Sequence, residues 1–197
     1  MAQRLPASET DLQRGIDRVL VPRERIAARV RELARQLADE YEGAELTIIA
    51  VLTGSLIFLA DLVRSMPLMM RLDVVSVSSY PGASVRSQGP QLRLAPAVDL
   101  AGRDVLIVDD ILDSGQTLRL LVEAIERQNP ASLRTCVLLR KLRPDITDRV
   151  EADWAGFDVP DEFVIGYGLD HDHLYRNLPD ICVLKDAPQP SGEEGPS

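Results

Sequence analysis

Apolar residues follow two spacings along this chain. Apolar runs occur at Leu46–Leu52 and Val105–Val108, and a stretch that turns wholly apolar from Cys136 at Ser132–Leu139, the pattern of strands buried on both faces, as in a parallel sheet. Between them lie helical spacings: Ile26, Val30, Leu33, Leu37 and Tyr41; Leu59, Leu62 and Val63; Leu118, Leu121, Val122 and Ile125. Strand and helix therefore alternate, which predicts an α/β domain. Pro22 stands at a helix-start position, and that first helix should end near Gly43.

Shorter elements fill the rest. Ile16–Val21, Leu68–Ser79, Gln91–Leu94, Ala152–Phe157, Phe163–Tyr167 and Ile181–Leu184 read as strands. The stretch 80–91 lacks periodicity and contains Pro81, Gly82, Ser84, Ser87, Gly89 and Pro90. Loops of that length are either functional lids or disordered. Residues 1–15 read as a flexible N-terminus and 186–197, rich in Pro, Gly, Ser and Glu, as a disordered tail. One domain spanning 16–185 remains.

Composition narrows the function. With a net charge of −9 and no Lys/Arg-rich run, a general nucleic-acid binder is disfavoured. An anionic substrate is not, because a local site can be positive. No long apolar span or signal-peptide layout occurs, so a cytoplasmic protein without membrane partners is expected. The two cysteines, Cys136 and Cys182, lie in apolar runs and read as buried thiols.

The candidate chemistry is concentrated after the Val105–Val108 run. Asp109 and Asp110 sit where the strand should emerge into solvent, followed by Asp113, Ser114, Gly115, Gln116 and Thr117 at a helix start. Glycine admits close backbone approach, two hydroxyls donate, and helix-start amides favour an anion. The two acids suit ribose hydroxyls or a hydrated Mg²⁺. Phosphate, ribose and metal together describe a phosphorylated sugar, although acids after a buried strand also occur in nucleotide hydrolases and receiver domains. Thr53-Gly54-Ser55 is a second small-residue turn, either a tight connection or a second anion site. Arg140, Lys141 and Arg143 either form a solvated turn or line the same cleft. His171 and His173 with Asp170 and Asp172 lack the Cys or further His of a zinc site.

From about Val19 to Leu184 the chain resembles bacterial hypoxanthine/guanine phosphoribosyltransferases, of the type I phosphoribosyltransferase family. The matching pieces are Leu52–Ser55, Ser78–Tyr80, Val105–Leu118, Leu138–Lys141, Pro160–Asp170 and Tyr175–Pro179. The resemblance implies a parallel core sheet flanked by helices, with a small hood subdomain from the chain ends, about 16–21 and 153–184. It implies transfer of the 5-phosphoribosyl group from phosphoribosyl pyrophosphate (PRPP) to a 6-oxopurine, with Mg²⁺ as cofactor.

The roles it implies are these. Asp109 and Asp110 meet the ribose and the metal, Asp170 also holds the metal, and residues Asp113 to Thr117 wrap the 5′-phosphate. Thr53, Gly54 and Arg176 meet pyrophosphate, and the Leu52–Thr53 peptide is cis. Lys141, Phe163 and Val164 bind the purine, Asp113 is the catalytic acid/base group, and Ser79 and Tyr80 begin a lid. Two positions depart from the family: Thr53 replaces a usual Lys or Arg, and His171 a usual tyrosine. A xanthine-preferring relative and a regulatory paralogue that binds nucleotide or RNA are the alternative readings. A homodimer or homotetramer is the expected assembly.

Overall fold

The computed structural model describes residues 15–78, 91–94, 96–144, 146 and 150–185. The predicted apolar runs form the middle of a six-stranded sheet. In β2 (Leu46–Leu52) and β5 (Asp104–Leu112), with β6 (Ser132–Lys141), side chains alternate between two cores. Ile48, Ala50, Leu106, Val108, Cys136 and Leu138 face one side, packed by helix α1 (Arg23–Glu40) and helix α2 (Leu56–Arg64). Ile49, Val51, Val105, Ile107 and Val137 face the other, with Leu118, Leu121 and Ile125 of α3 (Gln116–Glu126). Both faces are covered, which is why the crossing stretches Ile48–Val51, Val105–Val108 and Cys136–Leu139 carry no polar side chain.

The sheet order is β4-β3-β2-β5-β6-β7, with β3 at Arg71–Ser78, β4 at Gln91–Leu94 and β7 at Trp154–Val159. All neighbours are parallel except β4, which returns antiparallel beside β3. A separate antiparallel sheet pairs β1 (Ile16–Val21) with β9 (Ile181–Leu184), and β9 with β8 (Val164–Ile165). The region 153–184 is thus divided: β7 belongs to the central sheet, and β8 and β9 to the small one. Both cysteines are buried and unbridged, and burial pushes the Cys136 thiol up to about 12. No helix among the described residues is long and apolar enough to cross a membrane.

Several predicted boundaries move. β3 starts at Arg71 rather than Leu68, β7 covers Trp154–Val159 rather than Ala152–Phe157, and β8 keeps only two residues of Phe163–Tyr167. The largest change is in β5, which continues through Asp109 and Asp110 to Leu112, pairing Asp109 with Val137 and Leu112 with Arg140 of β6. The acids therefore lie inside the strand, not beyond it. The expectation that Asp109 emerges into solvent is corrected, since the residue keeps 6% exposure.

Helix α1 has no side-chain cap of its own, because its N-cap position is Pro22. Asp180 does that work from the small sheet's end of the chain. Its carboxylate accepts the Arg23 backbone N–H at 2.8 Å and two guanidinium bonds from Arg23 at 3.1 and 2.8 Å. The Arg23 bonds hold the Asp180 carboxyl below its ordinary value. Asp180→Ala should cost about 1 kcal/mol, the scale of a lost helix cap, read as a lower melting temperature. A depressed native pKa contributes stability above the unfolded pKa that is lost as pH falls. The gap between variant and wild type should therefore narrow on acidification through the carboxylate range.

Candidate active site

Parallel strands deliver their carboxyl ends to one edge, where ligands of open α/β sheets bind. Here the ends of β2, β5 and β6 bring the Leu52–Gly54 turn, the Asp113–Gly115 turn and the Lys141–Arg143 segment together. A cavity of about 430 Å³ opens there, lined by Leu52, Gly54, Asp109, Asp110, Asp113, Ser114, Gly115, Thr117, Arg143, Asp170 and Arg176 among others. Thr53, Gln116, Lys141, Phe163 and Val164 do not line it. Of these, Lys141 reaches the site through Asp113. The expected lid residues Ser79 and Tyr80 lie outside the described residues.

Three loops interlock at the floor. The Leu52–Thr53 peptide is cis. A Cβ on Gly54 would lie 1.7 Å from Asp110 Oδ2, and a Cβ on Gly168, where φ is +102°, would lie 2.2 Å from the Gly54 carbonyl oxygen. Only glycine fits at either place. The turn after β2 therefore rests on Asp110 and supports the loop that carries Asp170. Along that loop Tyr167, Asp172, His173 and Tyr175 all have positive φ, between 50° and 71°, a conformation non-glycine residues rarely adopt. Tyr167 Oη donates to Asp61 of α2 at 2.7 Å, which ties the loop down.

The acids sit in contrasting settings. Asp109 Oδ1 accepts the Asp110 N–H at 2.9 Å, and Asp110 Oδ1 accepts the Ile111 N–H at 3.0 Å. Burial, and then the charge of Asp110, pushes Asp109 well above the ordinary carboxylate range; burial also raises Asp110. Asp170 pairs with Arg176 at 2.7 Å and accepts the His173 N–H at 2.8 Å. Arg176 also donates to the Gly168 carbonyl at 2.6 Å. Among the described residues no group of three His, Cys, Asp or Glu side chains converges as a ready-made metal cage.

A raised native pKa means that folding favours the protonated acid. Its stabilisation is complete below the unfolded pKa and is lost as pH rises through the native value. At neutral pH, Asp109→Asn removes a buried charge while its amide oxygen can still accept the Asp110 N–H. The ligand-free variant should melt higher than wild type, where each kcal/mol is worth roughly 2–4 °C for a domain of this size. Scanning calorimetry showing a lower melting temperature would contradict this.

At the β6 end the three predicted cations separate. Arg140 turns outward, its guanidinium on Asp158 at 2.6 Å and Glu151 at 3.3 Å. Lys141 turns inward to Asp113 Oδ2 at 2.9 Å. Arg143 follows it, donating to Asp113 Oδ1 at 2.9 Å. Asp161 is shared by both, 3.3 Å from each. Of the two readings of this cationic segment, Lys141 and Arg143 follow the cleft and Arg140 the outer surface; Asp161 and Gly168 carry no local signal of their parts in the site. Phe163 stands edge-on to His171, ring centroids 5.3 Å apart, and Val164 is buried in β8.

The strand order, the strand-end turn holding Asp109 to Thr117 and the interlocked glycine loops can be set beside known proteins. Residues 20–172 match the family model described as a phosphoribosyl transferase domain. The chain belongs to this phosphoribosyltransferase family. It is 43% identical over 189 residues to a hypoxanthine-guanine phosphoribosyltransferase of Mycobacterium avium, covering 91% of each chain. A Bacillus subtilis protein of the same name is 40% identical, with 89% of this chain and 97% of that one covered. A solved hypoxanthine phosphoribosyltransferase from Staphylococcus aureus superposes with a TM-score of 0.82 at 35% identity, over 91% of this chain and 97% of that one. The matched residues 20–172 take in the central sheet and the turns that bring Gly54, Asp113 and Asp170 to the cavity.

Proposed function

We propose that this chain is a purine-salvage enzyme that transfers the 5-phosphoribosyl group of PRPP to hypoxanthine or guanine, releasing pyrophosphate. The observation that carries the reading is the Asp113 carboxylate held by Lys141 at the rim of a cavity floored by Asp109 and Asp110. A cation that can only donate, beside an acid, matches the exocyclic oxygen and the N7 of a 6-oxopurine.

In this reading the amides and hydroxyls of Ser114 to Thr117 receive the 5′-phosphate at the start of α3, where the helix dipole favours negative charge. Asp109 and Asp110 accept hydrogen bonds from the ribose hydroxyls. Lys141 leaves Asp113 to donate to the purine O6 and repels the amino group of adenine. The purine N9 attacks C1 as the bond to pyrophosphate breaks, and Asp113 takes the proton from N7. Arg176, with the amides at Thr53 and Gly54, meets the departing pyrophosphate, where negative charge builds. Phe163 stacks on the base, and the backbone at Val164 meets the base edge.

The donor set fits a divalent cation. Asp109, Asp110 and Asp170 line one cavity, and burial pushes Asp109 and Asp110 up, so a cation beside them would favour their ionised forms. Oxygen-only, carboxylate-rich surroundings suit Mg²⁺ that keeps waters and substrate oxygens in its shell. When bound, it would supply the positive charge that offsets the pyrophosphate's. A cytoplasmic homodimer or homotetramer with small-molecule substrates completes the reading.

The test is a PRPP-dependent assay with hypoxanthine, guanine, xanthine, adenine and uracil. Hypoxanthine or guanine should be converted in the presence of Mg²⁺, with adenine inert. Comparable turnover of adenine would remove the role given to Lys141, and no PRPP-dependent conversion of any oxopurine would remove the reading.

A further inference from the structure

At the end of the cavity assigned to the purine, two acids and two cations among the described residues meet. Asp113 presents one oxygen to Lys141 and the other to Arg143, each at 2.9 Å. Asp161 presents its two oxygens to the same two cations, each at 3.3 Å. Lys141 and Arg143 are well enclosed, with side chains 11% and 19% exposed. Arg143 also lines the cavity directly.

The chemistry just described, on which this inference rests, asks Lys141 to leave Asp113 for a neutral carbonyl oxygen. That exchange trades a charged partner for an uncharged one in a partly enclosed cleft, where a carboxylate stripped of a cation is costly. We propose that Arg143 is a positioning residue: it holds Asp113 Oδ1 from the side away from Lys141, so that Lys141 can be released to the purine without losing the acid's place. The guanidinium is suited to this because it stays charged and its fork spans two acceptors, Nη1 on Asp113 and Nε on Asp161. Asp161 keeps the guanidinium in place while the ammonium moves. Lys141 is the mobile cation of the pair and Arg143 the fixed one.

The test compares Arg143→Met and Arg143→Lys with wild type in initial-rate kinetics, varying PRPP and hypoxanthine separately. Arg143→Met should lower kcat/KM for hypoxanthine roughly tenfold, the scale of a charged hydrogen bond in a partly enclosed site. The KM for PRPP should stay within twofold, because Arg143 touches the acid at the base end and not Asp109 or Asp110. Arg143→Lys retains the charge and should recover most of the loss. Arg143→Gln, which keeps a donor without the charge, should resemble the Met variant and serves in its place if that variant fails to fold. The proposal is overturned if both neutral variants keep hypoxanthine kcat/KM within twofold of wild type. It is overturned equally if the PRPP KM rises in step, or if Arg143→Lys is as impaired as the neutral variants. An inactive wild-type protein would instead defeat the parent reading, so the two failures are distinct.

Discussion

Asp113→Asn should lower kcat by roughly 10²–10⁴-fold, the range contributed by a general acid–base group, while PRPP affinity changes little. The carboxylate occupies the cavity rim with one oxygen on Lys141 and the other on Arg143. An amide of the same shape keeps an oxygen for one cation but turns an NH₂ toward the other, and it cannot accept the purine proton. Its backbone stays in the turn that precedes α3, so the phosphate amides keep their positions. Pre-steady-state kinetics should place the loss in the chemical step, and isothermal titration should show near-normal PRPP binding. Near-normal single-turnover rates would reduce Asp113 to a structural member of the ion-pair cluster.

The second large effect is expected at a residue without a side chain. Gly54→Ala places a carbon where Asp110 Oδ2 now lies, 1.7 Å from its ideal position. Since Asp110 is tied through its own carboxylate to the Ile111 N–H, the acid must rotate away or the turn must lift. Either movement displaces a ribose contact or a pyrophosphate contact by about an ångström. Misplacements of that size cost on the order of 10²-fold in turnover, and PRPP affinity should fall with it. Gly43→Ala is the matched control: its φ is +77° and nothing lies within 4 Å of the added carbon. It should lower the melting temperature and leave kcat/KM intact. Equal kinetics for Gly54→Ala and wild type would show that the turn yields without moving Asp110.

These two positions also mark what the sequence could and could not tell. The central sheet was legible because strands covered on both faces must be apolar where they cross the core, as Ile48–Val51, Val105–Val108 and Cys136–Leu139 are. The strand-end turn Asp113–Thr117 was legible because few other chemistries ask for glycine, hydroxyls and acids at a helix start. The burial of Asp109 was not, since an acid usually ends a strand and this one is carried inward by pairing with Val137. Nor was the split by which Arg140 faces Asp158 while Lys141 and, beyond the strand, Arg143 reach Asp113; it depends on where β6 ends, a boundary that composition does not mark. The contacts of Gly54 with Asp110, of Gly168 with Gly54 and of Asp180 with Arg23 join residues remote in the chain. No local pattern announces them.

The small sheet has a consequence for how the molecule is made. Ile16 pairs with Leu184 and Val21 with Ile181, so its first strand waits for its last until almost all of the described chain has been synthesised. Closing so long a loop is entropically unfavourable until a finished core holds the ends near each other. The Gly166–Arg176 loop hangs from this late sheet through β8, the Tyr167 N–H to Leu178 bond and the Gly168 N–H to Arg176 bond. Folding order and activity are thereby linked: the parallel sheet can assemble first with its phosphate turn in place, and the loop carrying Asp170 and Arg176 gains its β8–β9 support only once Ile181–Leu184 has been made. A nascent chain stalled before Ile181 would hold the cleft yet lack its far wall.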